Sequence, residues 1–494
     1  SDVALSAWAA RAPRQLTTAL WAAAALALGG LIASLPLEHS LLVLCGAALA
    51  AVSVWEPALG LALAMTLGPT KAFLAVARPG LPADLGQLFF ALAVAGWLAR
   101  GLARRSLVIP HIGLLLPLGL YSAVALFSLI PAASLEEGLK EALKWLEIAL
   151  AMVILISEAE RGRVNWIIAG ILIAGLGQAL VGIWQFDFRP NGPEPFRILG
   201  DRFRAYGSFE QPNVYGGFLG LIWPVAAGLA LGTVSTLRGH ASRAESRGST
   251  LLASRAYRLV PTAFFALIAF VCLAGLYFSF SRGAWIGAAA AALAMTIALP
   301  RRLTFGIGLV AAALVAGWGL ARAGLLPAGL TSRLSDVAAS TTVRDVRGAN
   351  INAANFAVLD RLAHWQAAVR MAEAHPWLGV GIGNYAAAYE QFRLFNWPNA
   401  LGHAHMIYLN VLAETGILGL AAYLALWLAV IALTMRALAH ARTGGVQRGL
   451  ALGLLGAWVH LSVHQVFDNL YVNNVHFVLA GLLALLVYLS RLEK

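Results

Sequence analysis

Apolar residues along this chain arrive in long unbroken blocks, not in the alternation of half-buried strands or the narrow stripes of soluble helices. Fourteen blocks stand out, at 16–34, 40–54, 57–77, 82–99, 112–132, 138–157, 164–184, 213–233, 259–280, 283–300, 303–321, 403–435, 449–467 and 475–490. Most approach the ~20 residues that carry a helix across the hydrocarbon core. The pattern predicts an all-α, polytopic integral membrane protein. Trp55-Glu56-Pro57 interrupts the second and third blocks, so 40–54 and 57–77 either both span or dip in together. The expectation is 12–14 transmembrane helices. Either count is even and puts both termini on the same side. The first block follows Arg11 and Arg14 and reads as an uncleaved span, since similar blocks follow it.

Charge orients the chain. Basic clusters fall at Arg100/Arg104/Arg105, Arg161/Arg163, Arg238 through Arg258, Arg301/Arg302 and Arg436 through Arg448, and at both ends. Fourteen spans place all of them on one side, which the positive-inside rule makes cytoplasmic. Two polar loops, 185–212 and 323–402, then lie outside, and 238–258 reads as a flexible cytoplasmic loop. The chain divides into N-terminal spans (1–184), central spans (185–322), a large, partly helical outer loop (323–402) and C-terminal spans (403–494). Within the large loop, 361–375 has a helical period with Leu362, Trp365, Val369 and Ala372 on one face. That helix lies on the membrane surface or packs on the loop itself.

Composition narrows the function classes. Sixty per cent of the residues are hydrophobic and 12% charged, and the mean hydropathy is +0.76. Soluble proteins carry about a quarter charged residues. A soluble enzyme, a disordered chain and a disulfide scaffold are excluded. The net charge of +12 is a signal of cytoplasmic loops rather than of nucleic acid. Cys45 and Cys272 both sit in apolar blocks and form no metal or disulfide pattern.

Charged residues at span ends are costly and often functional. On this topology four such places lie on the outer side. Arg204 precedes a span whose start, Pro212-Asn213, offers helix-terminal amides to an anion. Pairing with Asp201 or Glu210 is its plainer alternative. Arg282 sits at a hairpin tip between two spans, against the positive-inside bias. Arg361 opens the amphipathic helix, where a plain surface arginine is the alternative. His403 and His405 stand where the large loop re-enters the membrane, followed by Gly416 and Gly419, small residues that suit close helix packing. The two histidines are two positions apart, so at most one serves as a base. Asp468, at another outer span end, is placed to orient a histidine or an arginine, or to hydrogen-bond a helix end. Both outer loops contain arginine and no lysine, and arginine's fork suits phosphate oxygens. No HExxH, DxD, GxSxG or P-loop pattern occurs, so no metal and no cofactor are expected. Arginines for charge and a histidine for proton transfer suit displacement of a diphosphate by a hydroxyl.

The spacing of His405, Gly416 and Gly419 resembles the H-[NSQ]-x9-G-x2-G signature of the O-antigen ligase family, with Met406 in the polar position. FSFSRGAWIG, RLAHWQAAVRMAEAHPWLGVGIGNY and RAYGSFEQPNVYGGFL are similar to other elements of that superfamily, in the same order. The resemblance implies a helical bundle with a large periplasmic loop in the bacterial inner membrane. It implies glycan transfer from undecaprenyl diphosphate, without metal and with inversion. It implies His405 as base, Arg282 and Arg361 as diphosphate-binding residues and, less directly, Arg204. His403, Asn213 and Asp468 join Arg204 as candidate substrate contacts from their places at the outer span ends. The acceptor implied first is lipid A–core, as in O-antigen ligases. A protein O-oligosaccharyltransferase and an O-antigen polymerase are the alternatives within the superfamily. A polysaccharide flippase is the alternative outside it, but it would carry midplane charges and repeat symmetry that this sequence lacks.

Overall fold

A computed structural model describes residues 29–492 apart from 31–33, 81–83, 108, 190, 199, 246–250, 301, 326–344, 349, 352–354 and 442–444. Most of the first apolar block, and Arg333 and Arg344 of the large loop, lie outside the described residues. The chain is mostly helical. Its helices are α1 (Leu37–Trp55), α2 (Pro57–Leu67), α3 (Lys71–Ala77), α4 (Leu85–Ala103), α5 (Leu115–Phe127), α6 (Leu135–Glu158), α7 (Val164–Asp187) and α8 (Pro212–Glu245). They continue with α9 (Leu251–Phe278), α10 (Arg282–Ala298), α11 (Leu303–Arg322), α12 (Phe356–Ala374), α13 (Tyr385–Phe392), α14 (Ile407–His440), α15 (Val446–His464) and α16 (Val475–Arg491). A two-residue hairpin pairs β1 (Arg197–Ile198) with β2 (Arg202–Phe203).

Among the described residues, seven stretches are long and apolar enough to cross a membrane. One of them, Leu135–Asp187, holds both α6 and α7, joined by a turn at Gly162. The larger count expected from the sequence includes the shorter apolar helices α5, α10, α11 and α16, and α15. The chain is therefore a multi-pass membrane protein. Within the stretch expected as a loop, α8 runs on to Glu245 and α9 starts at Leu251, and 246–250 lie outside the described residues.

Burial is graded across the bundle. In α8, 78% of the hydrophobic window is buried, against 11% in α1, whose leucines face outward. The most enclosed helices, α8, α15 and α16, form the centre. There Gly228 of α8 and Gly449 of α15 face each other backbone to backbone, and a Cβ on either would strike the other's carbonyl.

Local chemistry sets the helix starts. Asp84 accepts from Gln87 N (3.1 Å) to cap α4, Ser134 from Glu137 N (3.4 Å) to cap α6, and Ser281 from Ala284 N (3.4 Å) to cap α10. Helix α14 is broken at Gly416, whose φ of 66° and ψ of −167° are not helical. Its Cβ position is filled by the backbone of Trp377. Across that break the loop pairs with the helix, with Val380 N donating to Ala413 O (2.9 Å), Gly381 N to Glu414 O (2.9 Å) and Ile417 N to Pro376 O (2.8 Å). Gly416 thus seats the large loop on the bundle, and does not provide the helix-on-helix contact that its motif suggested. Asn384 completes the anchor by accepting from Ser134 N (2.6 Å) and donating to Ser134 O (3.0 Å).

The amphipathic helix forms as α12, but a different face is buried. Leu359, Ala363, Ala367 and Met371 pack inward within two small cores of the loop, while Val369 is 39% exposed. Alanines carry that inner face, so the larger Leu362 and Trp365 outshine it in the sequence.

Candidate functional site

Three helix starts converge on one small cavity of about 140 Å³. Its walls come from Arg204 after the β-hairpin, Asn213 at the start of α8, Phe280 to Gly283 at the start of α10, and Val358 and Arg361 in the first turns of α12. His464 at the end of α15, with Phe467 and Asp468 beyond it, closes the cavity. Helix starts favour anions because their first amides lack helical partners. Three guanidiniums from distant parts of the chain strengthen that field.

Each arginine is held by a different device. Arg204 follows the β-hairpin and donates through Nε to Ser279 O (2.8 Å) and through Nη2 to Asn213 Oδ1 (2.9 Å). This replaces its expected pairing with Asp201 or Glu210. The segment behind Arg204 is seated by amide side chains: Gln185 Oε1 accepts from Tyr206 N (3.1 Å) and Gly207 N (2.7 Å), and Gln178 Oε1 from Ser208 N (3.0 Å). Arg282 opens α10, and Phe280 two residues earlier takes a left-handed φ of 48° to make the tight hairpin. Arg361 has no direct hydrogen-bond or ion-pair partner among the described residues. Burial lowers its guanidinium from the ordinary value, the Asp468 carboxylate opposes that, and Arg282 adds to it. The other described loop arginines behave differently. Arg197, Arg202, Arg347 and Arg393 pair with Glu194, Asp187, Asp345 and Glu390, while Arg189 donates to the Tyr206 hydroxyl and Arg370 to Phe392 O.

Asp468 links the cavity to the histidines. Its Oδ1 lies 3.8 Å from His403 Nε2 and 3.7 Å from His405 Nδ1. Burial disfavours its charge, yet the approach of His405, with His403 and His464 adding, holds the carboxyl well below the ordinary range. The two histidines are not equivalent. The His405 backbone N–H donates to His403 Nδ1 at 3.0 Å. A neutral His403 therefore carries its proton on Nε2, towards Asp468, and keeps no lone pair for a substrate. Burial lowers His403 to about 4 despite the field of Asp468, so the ring is neutral near pH 7. His405 points Nδ1 at Asp468, and its Nε2 is buried without a hydrogen-bond partner among the described residues. With the proton on Nδ1 facing the carboxylate, Nε2 is left as the acceptor. His405 also has a left-handed φ of 52°, backbone strain of the kind that gathers at functional sites.

Two neighbours escaped the sequence reading. His364 of α12 is fully buried, with Nδ1 3.0 Å from the Tyr385 hydroxyl and its ring 5.8 Å from that of His405. Burial, with His405 and His403, lowers it to about 4. His464 lines the arginine cavity with both ring nitrogens lacking hydrogen-bond partners among the described residues. It precedes Asp468 by four positions, and that spacing was the available signal.

His403, His405 and Asp468 place one ligand atom each within 4.8 Å of the others, a grouping that could hold a metal ion. The sequence did not suggest it, since 403 and 468 are distant along the chain. A dication there would require the His405 Nδ1 that faces Asp468 to be unprotonated and would meet the field of Arg361.

No curated protein matches the chain. Residues 267–424 match the O-antigen ligase (Wzy_C) family model. The matched span includes Arg282, Arg361, His403, His405 and Gly416, and stops short of Arg204, Asn213 and Asp468 outside it. Less than half of the chain is matched, but it is the part that holds Arg282 on α10, Arg361 on α12 and the two histidines just before α14, and over that part the chain is similar to the O-antigen ligase family that its motifs resemble.

Proposed function

We propose that the protein is a glycosyltransferase that moves an O-antigen glycan from undecaprenyl diphosphate to a sugar hydroxyl of lipid A–core. The supporting observation is the convergence of Arg204, Arg282 and Arg361 on one cavity beside the Asp468–His405 pair. Arg282 and Arg361 hold the diphosphate, Arg204 supports it through Asn213, and the helix starts add their amides. His405 Nε2 takes the proton from the acceptor hydroxyl as its oxygen attacks the anomeric carbon. A new C–O bond forms, the bond to the diphosphate oxygen breaks, and undecaprenyl diphosphate leaves with its charge held by the arginines. One displacement inverts the sugar. Asp468 fixes the His405 tautomer and stabilises the imidazolium, and His403 braces Asp468. The site faces the periplasm from the inner membrane, both termini are cytoplasmic, and the large loop carries α12 and α13 over the site. That sidedness rests on the basic clusters.

The deciding experiment incubates the nanodisc-embedded protein with lipid-linked O-antigen and, separately, lipid A–core, a second lipid-linked repeat or a pilin-like protein. Lipid A–core should gain mass, and gain by another acceptor alone would assign a different branch. Chelation with EDTA should leave the rate unchanged. A loss restored by a divalent ion would turn the His403–His405–Asp468 grouping into a metal site and overturn the base assignment.

A further inference from the structure

The chain has four lysines, and three of them, Lys71, Lys140 and Lys144, line one cavity of about 490 Å³. That volume falls within the range of small-molecule sites, roughly 300–1,000 Å³. Each lysine is paired with an acid: Lys71 with Asp84 (3.0 Å), Lys140 with Glu136 (2.7 Å) and Glu137 (2.8 Å), and Lys144 with Glu141 (2.6 Å). Every one of these ammonium groups is thus already neutralised by a carboxylate at contact distance, and no net attraction for an anion is built. Instead the wall alternates donors and acceptors at short range. A sugar hydroxyl both donates and accepts, so it can bridge such pairs where a phosphate or an alkyl chain cannot. Tyr121, Trp145 and Tyr471, buried against one another with ring centroids 4.5 Å apart for Tyr121–Trp145 and 5.0 Å for Trp145–Tyr471, form a rigid apolar floor beside the polar wall. A floor and wall of opposite polarity match the two-sided character of a pyranose.

His403 lines this cavity and, through Nε2, faces Asp468 of the arginine cavity. The two spaces therefore share the His403–Asp468 wall, and the His405 ring lies 4.4 Å from the His403 ring. We propose that the lysine-lined cavity is the acceptor site and binds an uncharged, hydroxyl-rich saccharide, whose attacking oxygen reaches His405 past His403. This rests on the transfer reading above.

The test is a binding measurement that needs no transfer. The probe is a neutral hexose oligosaccharide of the outer core, free of acidic sugars and phosphate, titrated calorimetrically into the full protein in nanodiscs. Lys144→Ala should weaken it about tenfold, the scale of one lost charge-assisted hydrogen bond. Lys140→Ala, at a 59% exposed side chain, folds safely and should weaken it about threefold by the same mechanism. Undecaprenyl diphosphate should bind both variants as it binds the parent protein. Unchanged oligosaccharide affinity in both variants would refute the cavity assignment. So would a serine-rich peptide that binds there in place of the sugar, or equal loss of diphosphate binding. If the oligosaccharide binds and both variants weaken it, yet no donor is ever transferred, the saccharide site stands and only the transfer reading falls. If transfer proceeds with unchanged acceptor KM in both variants, the reverse holds.

Discussion

Two clusters of buried charge sit at opposite ends of α6, a helix of 24 residues that spans about 36 Å at 1.5 Å per residue. At its far end Glu158 is fully buried, yet it meets Arg161 (2.7 Å), Arg100 (3.1 Å) and Arg163 (3.8 Å). Arg163 turns also to Glu56 (2.5 Å) and Arg100 to Trp55 O (2.8 Å). That cluster ties the breaks between α1 and α2 and between α6 and α7, and its closest pairs, at 2.5, 2.7 and 3.1 Å, are in direct contact. The other cluster, around Asp468, holds its partners off at 3.7 and 3.8 Å and leaves nitrogens of His405 and His464 without hydrogen bonds. Buried charge alone does not mark function. What distinguishes the outer cluster is polar capacity left open beside a cavity, where a substrate can fill it.

The comparison breaks first at His405. Its alanine variant should lose roughly 10²–10⁴ of the transfer rate, the usual worth of a positioned base. It should remain folded, because the ring makes no hydrogen bond in the described structure. Arg361→Ala should cost about 10²–10³, as loss of one transition-state donor does. Full activity of purified His405→Ala would remove the base assignment. A dead His403→Ala beside an active His405→Ala would move it to the other histidine, against the tautomer argument.

Both clusters were partly visible in the sequence, for a physical reason. In so apolar a chain each charge at a span end stands out, so Arg204, Arg282, Arg361, His405 and Asp468 could be named before any fold was known. The structure brings Arg204, Asn213, Arg282, Arg361 and Asp468 to one cavity and His403 and His405 to its edge. What stayed hidden depends on tertiary partners. A glycine in a broken helix and a glycine at a helix crossing look alike in sequence, so Gly416 was misassigned. The inner face of α12 is mostly alanine, which carries little apolar signal, so His364 went unnoticed within it. The polar stretch 238–258 lacks apolar periodicity, but charged residues such as arginine have good helix propensity and allow α8 to run into it as far as Glu245.

The second test addresses the far cluster. Glu158→Ala removes the shared partner of three arginines, and breaking a buried ion cluster from one side costs about 3–5 kcal/mol. The variant should unfold at lower temperature or denaturant, while the rate per folded molecule stays at that of the parent. A catalytic defect without a stability defect would erase the distinction between the two ends.

The smallest effect is set by pH, and its sign follows from two histidines. His403 and His364 are lowered from 6.5 to about 4, in both cases chiefly by burial. Between those values the unfolded chain binds protons that the folded site refuses. Stability therefore rises with pH across this window, is fully present above about 6.5, and is lost as pH falls towards 4. At pH 5 each histidine should cost about 1–2 kcal/mol. Asp468, held below its ordinary value, adds a further loss only at lower pH, where it protonates. Acidification should therefore loosen the outer site first, seen as faster amide exchange in residues 403–407 and 464–469 than around Glu158 at pH 5. Replacing His364 with phenylalanine removes one of the two titrating rings and should flatten the slope. A site equally protected at pH 7 and pH 5 would mean that these histidines are not held neutral by burial, and that the open polar capacity at Asp468 is already filled.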